Sequence, residues 1–377
     1  LNVRSRKTLL LSYDYPPKRG GISTYAEELS RAFHAQGNAN LLVIAPGTTR
    51  DEEIPTKRIT LPFGAFLSPL IFAWHLSLAR KENPDHNVFC TNWYPVGLAA
   101  WMVQSLSRKK NPYFVAVHGA EIMEKNGILG WIKKQLRRRV LAAAAGTFPV
   151  SRFTAGRLML DLGENFPGKI SVLSNGVNPG KFFPIPESLS RTIPVVLSVC
   201  RLEEHKGIDT ALRAFKLLKD QGIAFEYRVA GTGRCVNQLQ SLCRELGLES
   251  QVTFLGNVPD DQLNKVYNDC DLFLLLSRQA GANIEGFGLV FLEAAACGKT
   301  AVGSDSGGIA DAVIDGETGL LIPANDPERA AQAIGCLLND PELRHRLARQ
   351  ARDRARGQMS WGSVANKLRN EMSFYRE

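Results

Sequence analysis

Glu285-Gly-Phe-Gly-Leu-Val-Phe-Leu-Glu293 runs directly into Ala294-Ala-Ala-Cys-Gly298, and the reading of this stretch decides the fold. From Leu289 to Cys297 every residue except Glu293 is apolar or small, the pattern of a buried helix carrying one carboxylate. That carboxylate requires a partner, because an isolated buried charge costs several kcal/mol or neutralises itself. Two hydroxyl donors in a dry site are enough, and a ribose diol presents such a pair. Gly286 and Gly288 fall at the start of the predicted helix. There the first amide N–H groups lack intrahelical partners, and the missing Cβ atoms let a phosphate approach them at the positive end of the helix dipole. The segment reads as a nucleotide cradle, with Glu285 facing whatever is attached beyond the phosphates.

Outward from this helix, a strand, loop and helix order recurs along the chain. Thr8–Ser12 is a short apolar strand, followed by a Pro-rich loop ending in Gly20-Gly21 and a helix-spaced segment from Ser23 to Gln36. Residues 40–45, 88–91 and 113–118 read as further strands, each with helical sequence after it, which is the rhythm of a doubly wound parallel sheet. Ligands of such sheets bind beyond the carboxyl ends of the strands, and His118-Gly119-Ala120-Glu121 occupies one of those ends. Residues 146–151 and 170–177 read as the last strands of a first domain. Pro179 to Pro194 holds four prolines and no periodicity, and it reads as a linker.

The pattern restarts with the strand 194–202. Arg201 and Lys206, five apart in the loop after it, can converge on one diphosphate, Arg with a planar fork and Lys with a mobile point charge. Strands at 225–230, 252–258, 272–276 and 300–304 follow, with Gly231-Thr-Gly233 after the first and Val258 after the second. Asp269-Cys-Asp271 spells a D-x-D metal motif but stands at the entry end of its strand, so no metal is assigned to it. The predicted helices 329–338, 341–356 and 361–375 close the chain.

At 377 residues the chain is long enough for two domains. Its net charge of +9 implies attraction to anions: nucleotides, acidic lipid surfaces or nucleic acid. Seven Cys without a C-x-x-C pair argue against a disulfide framework or a zinc site and fit a reducing cytosol. With no apolar run near the roughly 20 residues of a membrane span, any membrane contact is expected to be peripheral, at the inner face of the cell membrane. The segment Trp131-Ile-Lys-Lys-Gln-Leu-Arg-Arg-Arg139, with Arg108-Lys-Lys110 and the aromatic residues Phe63, Phe66, Phe72 and Trp74 before it, fits a basic helix lying on an anionic bilayer. A solvated helix face fits it equally. No nucleic-acid-binding module surrounds these charges, so nucleic acid is not expected as a partner.

Gly20-Gly21, His118-Gly119, Asn175-Gly-Val177, Arg201-x4-Lys206, Gly231-x-Gly233 and Glu285-x7-Glu293 stand in the order found in the retaining family 4 glycosyltransferases, which the chain resembles over nearly its whole length. The run from Ser277 to Glu293 followed by Asp305-Ser-Gly-Gly is similar to the GDP-mannose-dependent phosphatidylinositol mannosyltransferases of that family. The resemblance implies an α/β protein of the GT-B fold, two Rossmann-like doubly wound domains facing across a cleft. Residues 1–180 would form the acceptor-binding domain, 181–355 the nucleotide-sugar-binding domain, and 356–377 a helix crossing back to the first. It implies a hexosyltransferase moving mannose from GDP-mannose to a hydroxyl on a lipid or glycan, with retention, without a metal or cofactor. Arg201 and Lys206 would clamp the diphosphate together with the backbone of Gly286, Phe287, Gly288 and Leu289. Glu285 would bind the sugar hydroxyls, Glu293 the ribose, and His118 the sugar near the reacting carbon. Gly20 and Gly21 would lie between donor phosphates and acceptor, Gly231 and Gly233 along the same cleft, and the backbone near Val258 at the base. The alternatives are a UDP-sugar-dependent member, a non-catalytic nucleotide-sugar-binding protein, and an epimerase on the same fold.

Overall fold

The computed structural model describes residues 8–374 apart from positions 19, 37–40, 49–52, 63–66, 83, 108–110, 123–126, 164, 187–191 and 282. Phe63, Phe66 and the 108–110 basic run therefore lie outside the described residues. The chain forms two compact units, residues 1–175 with 361–377, and residues 176–360.

In the first unit the order is β1 (Thr8–Leu11), α1 (Gly21–Ala35), β2 (Leu41–Pro46), β3 (Thr56–Ile59), α2 (Ser68–Glu82), β4 (Asn87–Cys90), α3 (Leu98–Leu106), β5 (Tyr113–Val117), α4 (Ile128–Ala143), β6 (Gly146–Pro149) and α5 (Arg152–Leu162). The second unit runs β7 (Val195–Val199), α6 (Ile208–Asp220), β8 (Glu226–Ala230), α7 (Val236–Glu245), β9 (Val252–Gly256), α8 (Leu263–Asn268), β10 (Leu272–Leu275), α9 (Leu289–Ala296), β11 (Thr300–Ser304), α10 (Ile309–Ala312), β12 (Gly319–Ile322), α11 (Pro327–Asn339) and α12 (Pro341–Arg356). The closing helix, α13 (Trp361–Phe374), belongs to the first unit, where its Arg369 donates to the Gln36 side chain beyond the end of α1.

Each sheet has six parallel strands, ordered β3-β2-β1-β4-β5-β6 and β12-β11-β10-β7-β8-β9. Runs such as Leu9-Leu-Leu11 and Leu272-Phe-Leu-Leu275 are wholly buried because helices cover both faces, and continuous apolar strands are what such a sandwich demands. In both sheets the order reverses beside the first strand, between β1 and β4 and between β7 and β10. Loops diverge there and open a crevice at the carboxyl ends of the strands. The loops after β1, β4 and β5 carry Gly20, Asn92 and His118; those after β7 and β10 carry Lys206 and Glu285.

The edge strands β3 and β12 escape the sequence reading: β3 is largely polar and half-buried, and β12, though apolar, is only four residues long. Residues 170–177, expected as a strand, are not one. Three backbone bonds tie Lys169, Ser171 and Leu173 to Thr147 and Pro149 beside β6, and the single bridge at Ile170 is too short a ladder to count. The expected linker is likewise not free at its start. Phe182 is buried against Tyr267, and the amides of Phe183 and Ile185 donate to Asn264 and Asn268, so this segment is packed onto the second unit.

Candidate active site

The centre of the second unit's site is an ion pair between Lys206, in the Glu204–Lys206 turn after β7, and Glu285, in the loop after β10. Nζ and Oε2 are 2.5 Å apart, with the two side chains 15% and 16% exposed. Burial alone pushes the Glu285 carboxyl up. The Lys206 ammonium, its hydrogen bond, His205 and the Phe287 amide together outweigh burial and hold the group below the usual carboxylate range. Glu285 is thus an anion fixed in place. Its backbone carbonyl also accepts from the Gly308 amide, so the Asp305-Ser-Gly-Gly turn braces it from behind. Burial pushes the neighbouring Cys200 thiol up to about 12 against the pull of Lys206, which rules out a thiolate nucleophile here.

After Glu285, Gly288 caps α9 with φ 90° and ψ 63°. A side chain would be strained in this left-handed conformation, and a Cβ would come within 2.8 Å of the Phe291 ring. The backbone of Phe287, expected at a phosphate, also helps hold the Glu285 carboxyl low. Leu289 opens the helix as expected. Glu293, expected as the one carboxylate of a buried helix, is half-buried, and its Oε2 accepts from the Tyr267 hydroxyl at 2.6 Å. Burial and then Glu293 raise Tyr267 well above its ordinary value, so the phenol keeps its proton and donates. Tyr267 escaped the sequence reading because the pairing joins α8 to α9 across residues 26 apart.

Gly231 and Gly233 have a structural reason of their own. A Cβ on Gly231, whose φ is +132°, would sit 1.8 Å from the Cys200 carbonyl oxygen, and one on Gly233 would meet the Leu202 carbonyl at 2.4 Å. These glycines let the loop after β8 lie against the Arg201 loop, where the Leu202 amide bonds the Thr232 carbonyl. Arg201 is exposed and Val258 half-exposed in the loop after β9.

In the first unit, Gly20 and Gly21 are different. An added Cβ at either meets nothing within 4 Å, so packing demands neither; Gly20 is required by its φ of +148°, which leaves Gly21 as the glycine without a structural reason of its own. His118 follows β5. Its ring Nε2 lies 2.8 Å from the Thr91 carbonyl oxygen; a carbonyl only accepts, so Nε2 carries the proton and Nδ1 the lone pair. The ring is edge-on to buried Tyr25 at 4.7 Å. Burial pulls its pKa down, outweighing the Glu121 carboxylate, the Thr91 carbonyl and Asp14, which push it up. His118 is therefore a neutral, fixed acceptor.

The basic segment has a mixed character. Ile128, Leu129, Trp131 and Ile132 are exposed along α4 with Lys133 and Arg139 among them. Arg137, read from the sequence as one more surface charge, is instead wholly buried, bonded through Nε and Nη2 to Asp161 and through Nη1 to the Glu121 carbonyl. Phe72 also points inward, while Trp74 of α2 is exposed. Among the described residues no group of three or more His, Cys, Asp or Glu is placed to hold a metal ion. Asp271, of the D-x-D triplet, accepts the Val195 amide.

Two doubly wound units with charged and glycine-rich loops at their switch points define the GT-B architecture. Residues 19–181 match the family described as Glycosyltransferase Family 4, and residues 185–354 match Glycosyl transferases group 1. The D-inositol 3-phosphate glycosyltransferase of Acidothermus cellulolyticus is 36% identical over 88% of this chain and 81% of its own length. The GDP-mannose-dependent alpha-(1-6)-phosphatidylinositol monomannoside mannosyltransferase of Mycolicibacterium smegmatis is 28% identical over 98% of this chain and 99% of its own. Among solved structures, sucrose-phosphate synthase from Thermosynechococcus elongatus superposes with a TM-score of 0.79 at 21% identity, covering 98% of both chains. Anabaena HepE, in complex with UDP and glucose, gives 0.78 at 20%, covering 98% of this chain and 99% of its own. The chain belongs to the family 4 glycosyltransferases and is a hexosyltransferase.

Proposed function

We propose that the protein transfers mannose from GDP-mannose to a hydroxyl of a lipid or glycan acceptor, with retention at the anomeric carbon and without a metal. The observation that carries this reading is the Lys206–Glu285 pair at the switch point of the second sheet. A lysine ammonium has three N–H donors. One engages Glu285, leaving two for diphosphate oxygens, with the Arg201 fork beside it on the same loop. Positive charge fixed where negative charge develops on the leaving group is the main means of lowering the barrier. Glu285, held ionised, accepts hydroxyl protons from the hexose, and Glu293 with Tyr267 receives the ribose. His118 offers its Nδ1 lone pair to a sugar hydroxyl near the reacting carbon. The leaving phosphate takes the acceptor proton in a front-face displacement.

The mannose and GDP assignments rest on the similarity to the Mycolicibacterium enzyme, whose name also specifies a phosphoinositide lipid. The exposed Ile128, Leu129, Trp131 and Ile132 of α4, followed by the exposed Lys133 and Arg139, support an acceptor presented at an anionic bilayer. The test is turnover of GDP-mannose, UDP-glucose and UDP-galactose with mixed lipid and glycan acceptors in the presence of EDTA, the product's anomeric configuration being read by NMR. An α-mannosyl product from GDP-mannose is expected. Transfer from a UDP-sugar alone replaces the donor, and a β-linked product removes the retaining mechanism.

A further inference from the structure

His118 is the one polar side chain in the first unit to which the proposed reaction gives a chemical role, and the turn that follows it is built with an unusual part. The turn Ala120–Ile122 is closed by the Ile122 amide donating to the Gly119 carbonyl. Glu121 reaches back, and its Oε1 accepts the His118 backbone N–H at 2.8 Å. Its Oε2 is buried and, among the described residues, finds no donor. The main chain of the same residue is pinned from below: the Glu121 carbonyl accepts from the wholly buried Arg137 at 3.2 Å and from the Trp93 indole at 3.4 Å. Arg137 stands over the Trp93 ring, 5.5 Å from its centroid, and is locked by Asp161 of α5.

A neutral side chain would satisfy the His118 amide equally well. A glutamine offers the same carbonyl acceptor, with a neutral amide NH2 in place of Oε2, so it keeps the bond to the His118 amide and removes the charge. What distinguishes the carboxylate from that amide is its charge. The groups facing His118 are Thr91 from β4, Tyr25 from α1, Asp14 from the loop after β1, and Glu121 from its own turn. Of these, only Asp14 and Glu121 carry charge. Glu121 alone also holds the His118 backbone. It is the group that couples the ring's place to its electrostatics.

We propose that Glu121 is the positioning residue of the transfer reaction: one carboxylate oxygen fixes the His118 main chain, the charge makes the His118 ring a stronger acceptor toward a sugar hydroxyl, and Arg137 anchors the turn from α4. This rests on the reading of His118 as the residue that meets the sugar. A ring whose Nε2–H is given to the Thr91 carbonyl and which lies beside a carboxylate is more basic at Nδ1 than a ring buried among apolar groups alone.

The variants are Glu121→Gln, which keeps the acceptor and removes the charge, and Glu121→Ala, which removes both. Two readouts are combined. The first is the histidine side-chain 1H–15N spectrum of labelled protein across pH, assigned with His118→Gln, which reports tautomer and titration without any ligand. The wild type should show the Nε2–H tautomer. In Glu121→Gln the same tautomer should persist with the midpoint lowered by roughly half a unit or more, as expected for removing a nearby negative charge. The second is GDP-mannose turnover: kcat should fall about tenfold or more in Glu121→Ala with donor KM little changed. Glu121→Gln should recover most of the kcat at pH 8 and carry the acid limb of the profile to lower pH. A Glu121→Gln protein whose His118 midpoint and pH profile superimpose on the wild type would overturn the proposal and leave Glu121 a turn cap. If Glu121→Ala does not fold, the Glu121→Gln spectrum decides alone. Absence of wild-type turnover with any nucleotide sugar counts against the transferase chemistry and leaves the spectrum to judge Glu121.

Discussion

Lys206 and Glu285 illustrate how much of the chemistry is placed in a single contact. Lys206→Ala removes the cation aimed at the diphosphate, and turnover should fall by roughly 10²–10³-fold, the usual scale for losing one preorganised electrostatic contact. A near-normal rate in a variant whose circular dichroism is unchanged would take Lys206 out of the clamp. The same pair makes a prediction about acid. Glu285 is held below its ordinary value of 4.5, so its contribution to stability is complete above that pH and is lost as pH falls through the lower folded value. Without Lys206, burial is the dominant influence and raises the carboxyl instead. The urea midpoint of the wild type should therefore show no loss from this group until below about pH 4.5. In Lys206→Ala the carboxyl, raised by burial, should instead cost less stability as pH falls through its raised value, so that the variant's deficit against the wild type narrows in acid. Parallel curves for the two proteins would show that the pair does not set the titration of Glu285. His118 shares this sign: its lowered value means that it opposes unfolding less as pH falls below 6.5.

At the scale of elements, the glycine loops separate into two kinds that sequence cannot tell apart. Gly231→Ala forces a Cβ against the Cys200 carbonyl from a positive φ, and it should destabilise the second unit by roughly 3 kcal/mol or more. Gly21→Ala has open space around it and should leave the melting temperature within about 0.5 kcal/mol of equivalent stability while lowering turnover. A thermal melt beside a rate assay for each variant checks the contrast. Equal destabilisation of both would mean that Gly21 is held by packing after all. The sequence shows both glycine pairs at strand ends, because apolar runs of four to six residues and glycine breaks are local signals. It also shows His118 at the end of β5 and both ends of the Glu285–Glu293 segment. It does not show Tyr267 beneath Glu293, Thr91 behind His118, or Arg137 beneath Glu121. Each of those is a pairing between separate elements, and two of them use backbone carbonyls that no residue type announces. The edge strand β3 is hidden because Thr56-Lys-Arg-Ile59 carries little apolar pattern, as an edge permits, and the apolar β12 because it is only four residues long.

At the scale of the whole molecule, the net charge of +9 and the exposed apolar residues of α4 motivate a prediction about anionic surfaces. Replacing Trp131 and Ile132 together with serine should weaken co-sedimentation with phosphatidylglycerol vesicles several-fold without changing the melting temperature. High salt should weaken the wild type's binding as well. Undiminished binding by the double variant would move the contact elsewhere. None of the described helices is long and apolar enough to cross a membrane. The central claim concerns the second unit, whose switch point is read as the seat of a nucleotide diphosphate bound through Lys206 rather than through a metal. The most direct measurement is the thermal melt of the wild type and of Lys206→Ala with GDP, GDP-mannose, UDP and ADP in EDTA. A ligand at about 100 times its Kd adds roughly 2.7 kcal/mol to the folded state, a shift of several degrees. GDP and GDP-mannose should raise the wild-type midpoint by that amount, more than UDP or ADP does, and Lys206→Ala should lose most of the shift. A wild-type protein that no nucleotide stabilises, or a Lys206→Ala protein stabilised as strongly as the wild type, would contradict it.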